Sequence, residues 1–568
     1  MSSSSSSSRS IFSRLRTAWK NLVSKKESPR ESQERHDLYR IALAVTYSDL
    51  RKQAGASAGA SAGASAGSSV SSPASTFQSR KELERIYDEA TEALDRKEIH
   101  AHSVPNLRRE VQSLLRPQIL SLLQVCQKSQ LDIPSTTILD FHSDSSSSSD
   151  PSSSSVSSSL SKEEEEYVLT RESNVKKCKE VLYEEQHHTL DLLDKCHSDS
   201  YHSSHDDGHA DGHGENNKRK QQQQAIFLHK KLSAIETIAS FYQWEHFYFS
   251  SSNDNHNHNN NNNNNSSNVN VDDADEFGYI LNKDEHVNNQ IRYYQMINLS
   301  RSALIRQQLG YSTIALKSTI QGHIINNGPN GFFNGGRGIF IDGKANAGSI
   351  VAFFPGEVWP KEHLLHANSV LPYFQNDPKY HLSLRYDDIL LDCRRAPYTV
   401  LDDVHSNAFA VAHIANHPPH PQYQQKDDNG NVHISINKHD NGTSTCSDNE
   451  QMAQQTRQTQ QIVTGPNCCT TAIDFLDNMK LKNSGLDTFV PNTYKKPPMM
   501  LGPQAVDRDS IMMHSMGLVS LRDVENEEIF YDYRLSSGRG GSESGEALPD
   551  WYYVCSQEEV ENRWHHEK

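Results

Sequence analysis

Apolar positions along the chain follow two regimes that change over near residue 288. Upstream, they recur every three or four residues, the spacing of one buried helix face. The stretch "TFQSRKELERIYDEATEALDRKEIHAHSVPNLRREVQSLLRPQILSLLQVCQ" carries that period from Thr76, with breaks expected around Pro105 and Pro117. The period returns in "KEEEEYVLTRESNVKKCKEVLYEEQHHTLDLLDKC" and in "QQQQAIFLHKKLSAIETIASFYQWEHFYF". Three or four helices are therefore expected over 79–250. A further helical lead-in is expected over 276–320, from "QIRYYQMINLSRSALIRQQLGYSTIALKSTI". Beyond it come short β-branched and aromatic runs bounded by Gly, Pro and Asn: "RGIFIDG", "GSIVAFFPGEVW", "YHLSLRYDDILLDC", "MGLVSLRDV" and "EIFYDYRL". Runs of that length predict strands, and the absence of βαβ alternation predicts small antiparallel sheets in a mostly β domain.

Composition divides the chain further. Apolar residues make up only 35% of 568 residues and the net charge is −16. Polar tracts such as "GASAGASAGASAGSS" (55–69), "SDSSSSSDPSSSSVSSSLS" and the Asn run at 259–265 bury too little surface to offset the entropy of ordering them. The expected organisation is a disordered basic segment and linker over 1–78, the interrupted helical region over 79–250 and an Asn-rich linker over 251–275. The helical lead-in follows over 276–320, then a β domain over 321–535 with a disordered insertion at 424–463, and an aromatic tail over 536–568.

Several function classes fall away. The eight cysteines form no CxxC pair, so neither a zinc cluster nor a disulfide framework is indicated, and reduced intracellular thiols are expected. "HSDSYHSSHDDGHADGHGE" (197–215) could ligate a metal weakly, but nothing in it fixes a geometry; it reads as a solvated linker, and no metal site is assigned. The acidic balance argues against direct nucleic-acid binding. No apolar run approaches the roughly 20 residues of a transmembrane segment. At the N-terminus, Ile11, Phe12, Leu15, Trp19, Leu22 and Val23 share one helical face in a basic stretch without an acidic residue before Glu27. That pattern reads as a mitochondrial or plastid transit peptide, or as a basic helix docking on a partner or membrane surface. "NKRKQ" at 217–221 is a short nuclear-type cluster, so nucleus, cytoplasm and organelle stay open.

Three small motifs stand in order along the β region. "GGRGIF" places Gly336, Arg337 and Gly338 before a strand, where glycines let backbone approach a ligand or simply make a turn. "VAHIANHPPHP" ends an apolar segment with Asn416 and His417, either reading an adenine edge or capping a helix. "NEEIFYDYRLS" (526–536) puts Tyr531 and Tyr533 on one face if it is a strand, because strand side chains alternate.

In this order the motifs resemble the SET-domain protein-lysine methyltransferases, and most closely the branch of SET domain-containing protein 9 and its plant and algal relatives. That family shows a GxG before a strand, an apolar segment ending Asn-His, then Gly-Glu-Glu-Leu and Phe-Asp-Tyr. Here Asn526 stands for the glycine and Tyr531 for the phenylalanine. "GSIVAFFPGEVW" matches a family strand with Phe354 where many members have tyrosine, and "GPNCCT" (465–470) resembles the Pro-Asn-Cys that ordinarily follows Asn-His closely. The resemblance covers roughly 305–560. It implies a SET fold with a pseudoknot-like C-terminal crossing, and methyl transfer from S-adenosylmethionine to a lysine of a protein substrate, histone or otherwise. It also implies that Gly336, Arg337, Gly338, Asn416 and His417 hold the cofactor, that Tyr533 acts at the transferring methyl, and that Tyr531 and Phe354 line the lysine channel. Cys-rich flanking modules are absent, so Trp551 with Tyr552 and Tyr553 is the expected substrate lid. Phe354, Asn526 and the split Asn-His region keep an alternative open, a SET-derived module that binds a peptide without turnover.

Overall fold

The computed structural model describes residues 29–63, 80–131, 162–202, 213–247, 285–321, 337–359, 382–387, 389–393, 407–418, 424–426, 432–434, 465–475, 481, 483–494 and 513–534. Among them, six helices precede a set of small sheets: α1 Pro29–Gly63, α2 Arg80–Arg96, α3 Val104–Lys128, α4 Lys162–His202, α5 His213–Phe241 and α6 Glu285–Leu309.

Helix α1 overturns the expectation that the chain is disordered to residue 78. Its Leu38, Ile41, Ala42 and Val45 recur at helical spacing and are buried. The pattern is masked in sequence because Gln33, Glu34, Arg35 and Asp37 beside them are buried too. Alanines of the supposed linker then extend the helix to Gly63, since alanine is the strongest helix former. Helix α3 also outruns expectation. Pro105 sits harmlessly in its first turn, but Pro117 lies inside it. An internal proline costs about 3 kcal/mol. Burial of Val111, Leu115, Ile119, Leu122 and Leu123 along one face, at about 1.5–3 kcal/mol each, outweighs that cost.

The helical lead-in to 320 is also corrected. Gly310, at φ +81°, ends α6, and Tyr311–Lys317 is strand β1. The left-handed φ suits glycine, and the β-branched Thr313 and Ile314 favour the extended chain that follows. The remaining strands are β2 Ile320–Gln321, β3 Arg337–Ala345, β4 Ile350–Phe353, β5 Gly356–Trp359, β6 Leu382–Leu384, β7 Leu390–Asp392, β8 Gln424–Lys426, β9 Val432–Ile434, β10 Cys468–Phe475, β11 Asn492–Tyr494, β12 Met513–Ser520 and β13 Val524–Glu525. They form four sheets, ordered β1-β3-β13, β10-β12-β4, β11-β5-β7-β6 and β2-β9-β8. Pairing is antiparallel except for β11 with β5 and β2 with β9. The β8–β9 pair lies at the head of the stretch expected to be a disordered insertion, and β9 adds to β2.

Helices and sheets share their cores. One core joins Leu38 and Ile41 of α1 and Leu115 and Leu122 of α3 to Phe353 of β4 and Ile473 of β10. A second joins α4, α5 and α6 to Ile314 and Leu316 of β1 and Phe340 of β3. Strand alternation splits β3 between cores. Phe340 stacks on Phe227 of α5 at 5.7 Å, while Ile339 and Ile341 face the third core, among the sheets.

Candidate functional site

The site is built where the segment after β13 crosses the sheets. Within four residues it makes three isolated bridges: Glu528 with Phe340, Phe530 with Asn416 and Tyr531 with Cys468. The last two are parallel, so the segment lies between residue 416 on one side and 467–468 on the other. The Tyr531 amide donates to the Asn416 carbonyl at 3.1 Å, and the Asn467 and Cys468 amides both donate to the Phe530 carbonyl at 3.1 Å. The Asn467 side chain adds two bonds, donating to the Glu528 carbonyl at 2.9 Å and accepting from the Phe530 amide at 2.8 Å. The continuous strand expected for "EIFYDYRL" is therefore absent. Three partners in succession leave no room for a ladder with one of them.

The two tyrosines nevertheless meet. Their ring centroids are 4.9 Å apart at 51°. The Tyr533 ring lies 5.5 Å from the His417 ring, and Tyr531 stands edge-on to the buried Phe354 at 5.9 Å. The Tyr533 hydroxyl donates to the Ala415 carbonyl at 2.8 Å, and its amide lies 3.4 Å from His417 Nδ1. Burial pushes both phenols above their ordinary range, each aided by a neighbouring acidic group, so both stay neutral at physiological pH. Asp532, between them, accepts from the Arg534 amide at 2.9 Å and lies 3.8 Å from His417 Nδ1.

Glu528 is the residue that sequence reasoning missed. It is 4% exposed, and its carboxylate gathers two distant parts of the chain. Ser318 Oγ donates to it at 2.7 Å, the Thr319 amide at 2.8 Å, and the Thr319 hydroxyl also donates to it. Asn416 Nδ2 donates to Glu528 Oε1 at 3.1 Å, to the Arg337 carbonyl at 2.9 Å and to Ser318 Oγ at 3.1 Å. The carboxylate also explains Gly338. A Cβ there would lie 2.0 Å from Glu528 Oε1, so the space that glycine leaves is filled by this side chain. The "EE" pair was visible in sequence, but its partners lie between 112 and 210 positions upstream. Asn526, in place of the family's glycine, adopts φ +50°, and its Oδ1 accepts from the Gly343 amide at 2.8 Å. Asparagine is the residue after glycine that best tolerates this left-handed conformation.

Of the expected site residues, Arg337, Gly338, Asn416, His417, Phe354, Tyr531 and Tyr533 are thus linked through one set of contacts. Gly336 and Trp551, with the rest of the expected aromatic lid, lie outside the described residues. Among the described residues, no group of three His, Cys, Asp or Glu side chains could hold a metal ion, and no helix is long and apolar enough to cross a membrane. Comparison of the chain with protein-family models, with curated proteins and with solved structures returned no match.

Proposed function

We propose that the chain is an S-adenosylmethionine-dependent protein-lysine N-methyltransferase on a SET-type fold. One observation carries the reading. The crossing of residues 528–533 between 416 and 467–468 brings a neutral tyrosine pair against Asn416–His417 and, through Asn416, against Arg337–Gly338. Those are the positions at which the motifs resemble the family, and a crossing at this point supports the reading because the resemblance implies one.

The residues present fit the cofactor by chemical class. When bound, S-adenosylmethionine supplies an electrophilic methyl on a sulfonium. Tyr533, set against His417, offers an aromatic face that favours a cation nearby. His417, whose ring lies 5.5 Å from that of Tyr533, and Arg337, whose carbonyl accepts from Asn416, would hold the cofactor's amino-acid and adenosine parts. The Tyr533 hydroxyl donates to the Ala415 carbonyl, and that bond fixes the orientation of the phenol whose oxygen would position the amine and the polarised methyl. Being neutral and far from deprotonation, neither phenol is a base. The substrate lysine must shed its proton to solvent, at about 4 kcal/mol near neutrality, and the apolar wall of Phe354 and Tyr531 lowers that cost by disfavouring the ammonium. Holding the amine in line then supplies much of the rate.

A second reading, a module that binds a peptide without turnover, draws on a different observation. The Gly338 space and the Asn416 amide are both engaged by Glu528. Calorimetric titration of the full chain with S-adenosylmethionine, beside a Tyr533→Phe variant, separates the two. Binding by the parent, with labelled-methyl transfer to protein lost in the variant, is the expected result. A folded parent that binds no cofactor would overturn the methyltransferase reading in favour of the module.

A further inference from the structure

The residue that follows the tyrosine pair is anchored on the far end of the chain. Arg534 has a left-handed backbone, φ +52°, a conformation that persists in a non-glycine residue only when its surroundings hold it. Its Nη2 donates to Asp37 Oδ1 of α1 at 2.6 Å, and its Nη1 to the Tyr386 hydroxyl. Tyr386 in turn donates to Asp37 Oδ2 at 2.6 Å, closing a ring of three side chains. Gln33 Nε2 donates to the same carboxylate at 3.3 Å, and Cys469 Sγ of β10 lies 4.0 Å from Arg534 Nη2. Asp37 is 1% exposed, so this carboxylate sees these partners and not solvent. Arg534 passes the constraint on through its own amide, which donates to Asp532 Oδ1, so both neighbours of Tyr533 are fixed.

We propose that Asp37 is a positioning residue for the tyrosine pair: through Arg534 it sets the orientation of Tyr533, and helix α1 thereby completes the candidate site. The chemistry it would serve rests on the reading above, but the geometry does not. An ordinary tie between α1 and the sheets is the competing account, and α1 supplies one for comparison. Arg108 of α3 donates to Glu34 Oε1 at 2.6 Å, one turn from Asp37, but none of its described bonds reaches residues 528–534. Arg108 also lies 3.5 Å from Asp387, next to Tyr386, so loss of that tie loosens α1 beside the same ring while it leaves the described bonds of Arg534 in place.

The test uses the full chain with 3-fluorotyrosine placed at position 533 alone, read by fluorine NMR. The Asp37→Asn/Arg534→Gln double variant leaves no uncompensated charge in the ring, so it should retain the parent's circular dichroism. Its Tyr533 fluorine line is expected to move by more than its own width, while Arg108→Gln leaves the line in place. An unmoved line in the folded double variant, or an equal movement in Arg108→Gln, would overturn the proposal. Should Asp37→Asn/Arg534→Gln not fold, Arg534→Lys keeps the charge and loses the two-pronged bond, and the same line and the same comparison decide. Titration of the parent with S-adenosylmethionine is run alongside. Its failure would remove the methyltransferase reading and leave the fluorine result to settle the positioning role by itself.

Discussion

Lys231 Nζ lies 2.7 Å from each carboxylate oxygen of Asp342, a buried bond that ties helix α5 to strand β3. The same ammonium donates to Glu185 of α4, which also accepts from Arg306 Nη2 of α6 at 2.6 Å. Two cations and two anions from four elements thus balance beneath the strand that carries Gly338. Removing one member of a buried pair strands the rest, at about 3–5 kcal/mol. Lys231→Met is expected to lower the urea midpoint by that much free energy. Converting Lys231 and Asp342 together to apolar residues of similar volume removes one charge of each sign, leaves the Arg306–Glu185 pair intact and should cost less than the single change. A larger loss in that double variant would refute this account of the cluster.

The cluster also predicts a pH response. Burial by itself raises the Glu185 carboxyl, but Lys231 and Arg306 outweigh it and hold the group at about 2, below an ordinary value of 4.5. A folded value below the unfolded one means that the stabilisation is fully present above about pH 4.5 and is lost as the pH falls toward 2. Thermal melts should therefore show a falling midpoint through that window. In Glu185→Gln, which removes the titrating group, the fall should be shallower.

Because α1 and α3 contribute Leu38, Ile41, Leu115 and Leu122 to the core that holds Phe353 and Ile473, the sheets do not form a separable unit. Residues 300–568 produced alone are expected to lack a cooperative melt and to be digested throughout by a protease at low concentration. A stable resistant core from that fragment would show that the helices are dispensable.

How much of this was legible depended on where each residue finds its partner. Strands β3, β4, β5 and β12 were readable because their β-branched and aromatic runs are local and bounded by turn residues. The meeting of Tyr531 and Tyr533 was also readable, from a spacing of two, although the segment proved to be a succession of bridges. Helix α1 was not, because its buried face includes Glu34 and Asp37, whose partners Arg108 and Arg534 are 74 and 497 positions away. Charges in a periodic pattern look like a solvated face until their partners are known. The break at Gly310 was missed for a different reason. The apolar run continues across it, and one glycine at positive φ changes its geometry from helix to strand.

Gly338 gives a sharper test of the site's construction. Gly338→Ala would drive a methyl into the Glu528 carboxylate, and overpacking of that kind costs about 1–3 kcal/mol. Glu528→Ala should also destabilise, since Ser318, Thr319 and Asn416 lose their acceptor. Residues in contact do not add independently. The double variant should therefore be less destabilised than the sum of the two singles in urea titration. Strict additivity would mean that the glycine and the carboxylate do not oppose one another.

The Tyr531 hydroxyl belongs to the predicted product state. Its ring is wedged between Phe354 and Tyr533, at 5.9 and 4.9 Å, and Phe354 brings no hydroxyl of its own to that wall. In the proposed lysine channel Tyr531 thus supplies a polar group that occupies space and binds the amine, which favours stopping at one or two methyl groups. Tyr531→Phe removes one oxygen and keeps the ring packing, so stability should change little while room opens beside the amine. Mass spectrometry of whichever protein the parent labels should then show a higher methylation state with the variant than with the parent. An unchanged product distribution at equal turnover would place the limit on methylation elsewhere than at Tyr531.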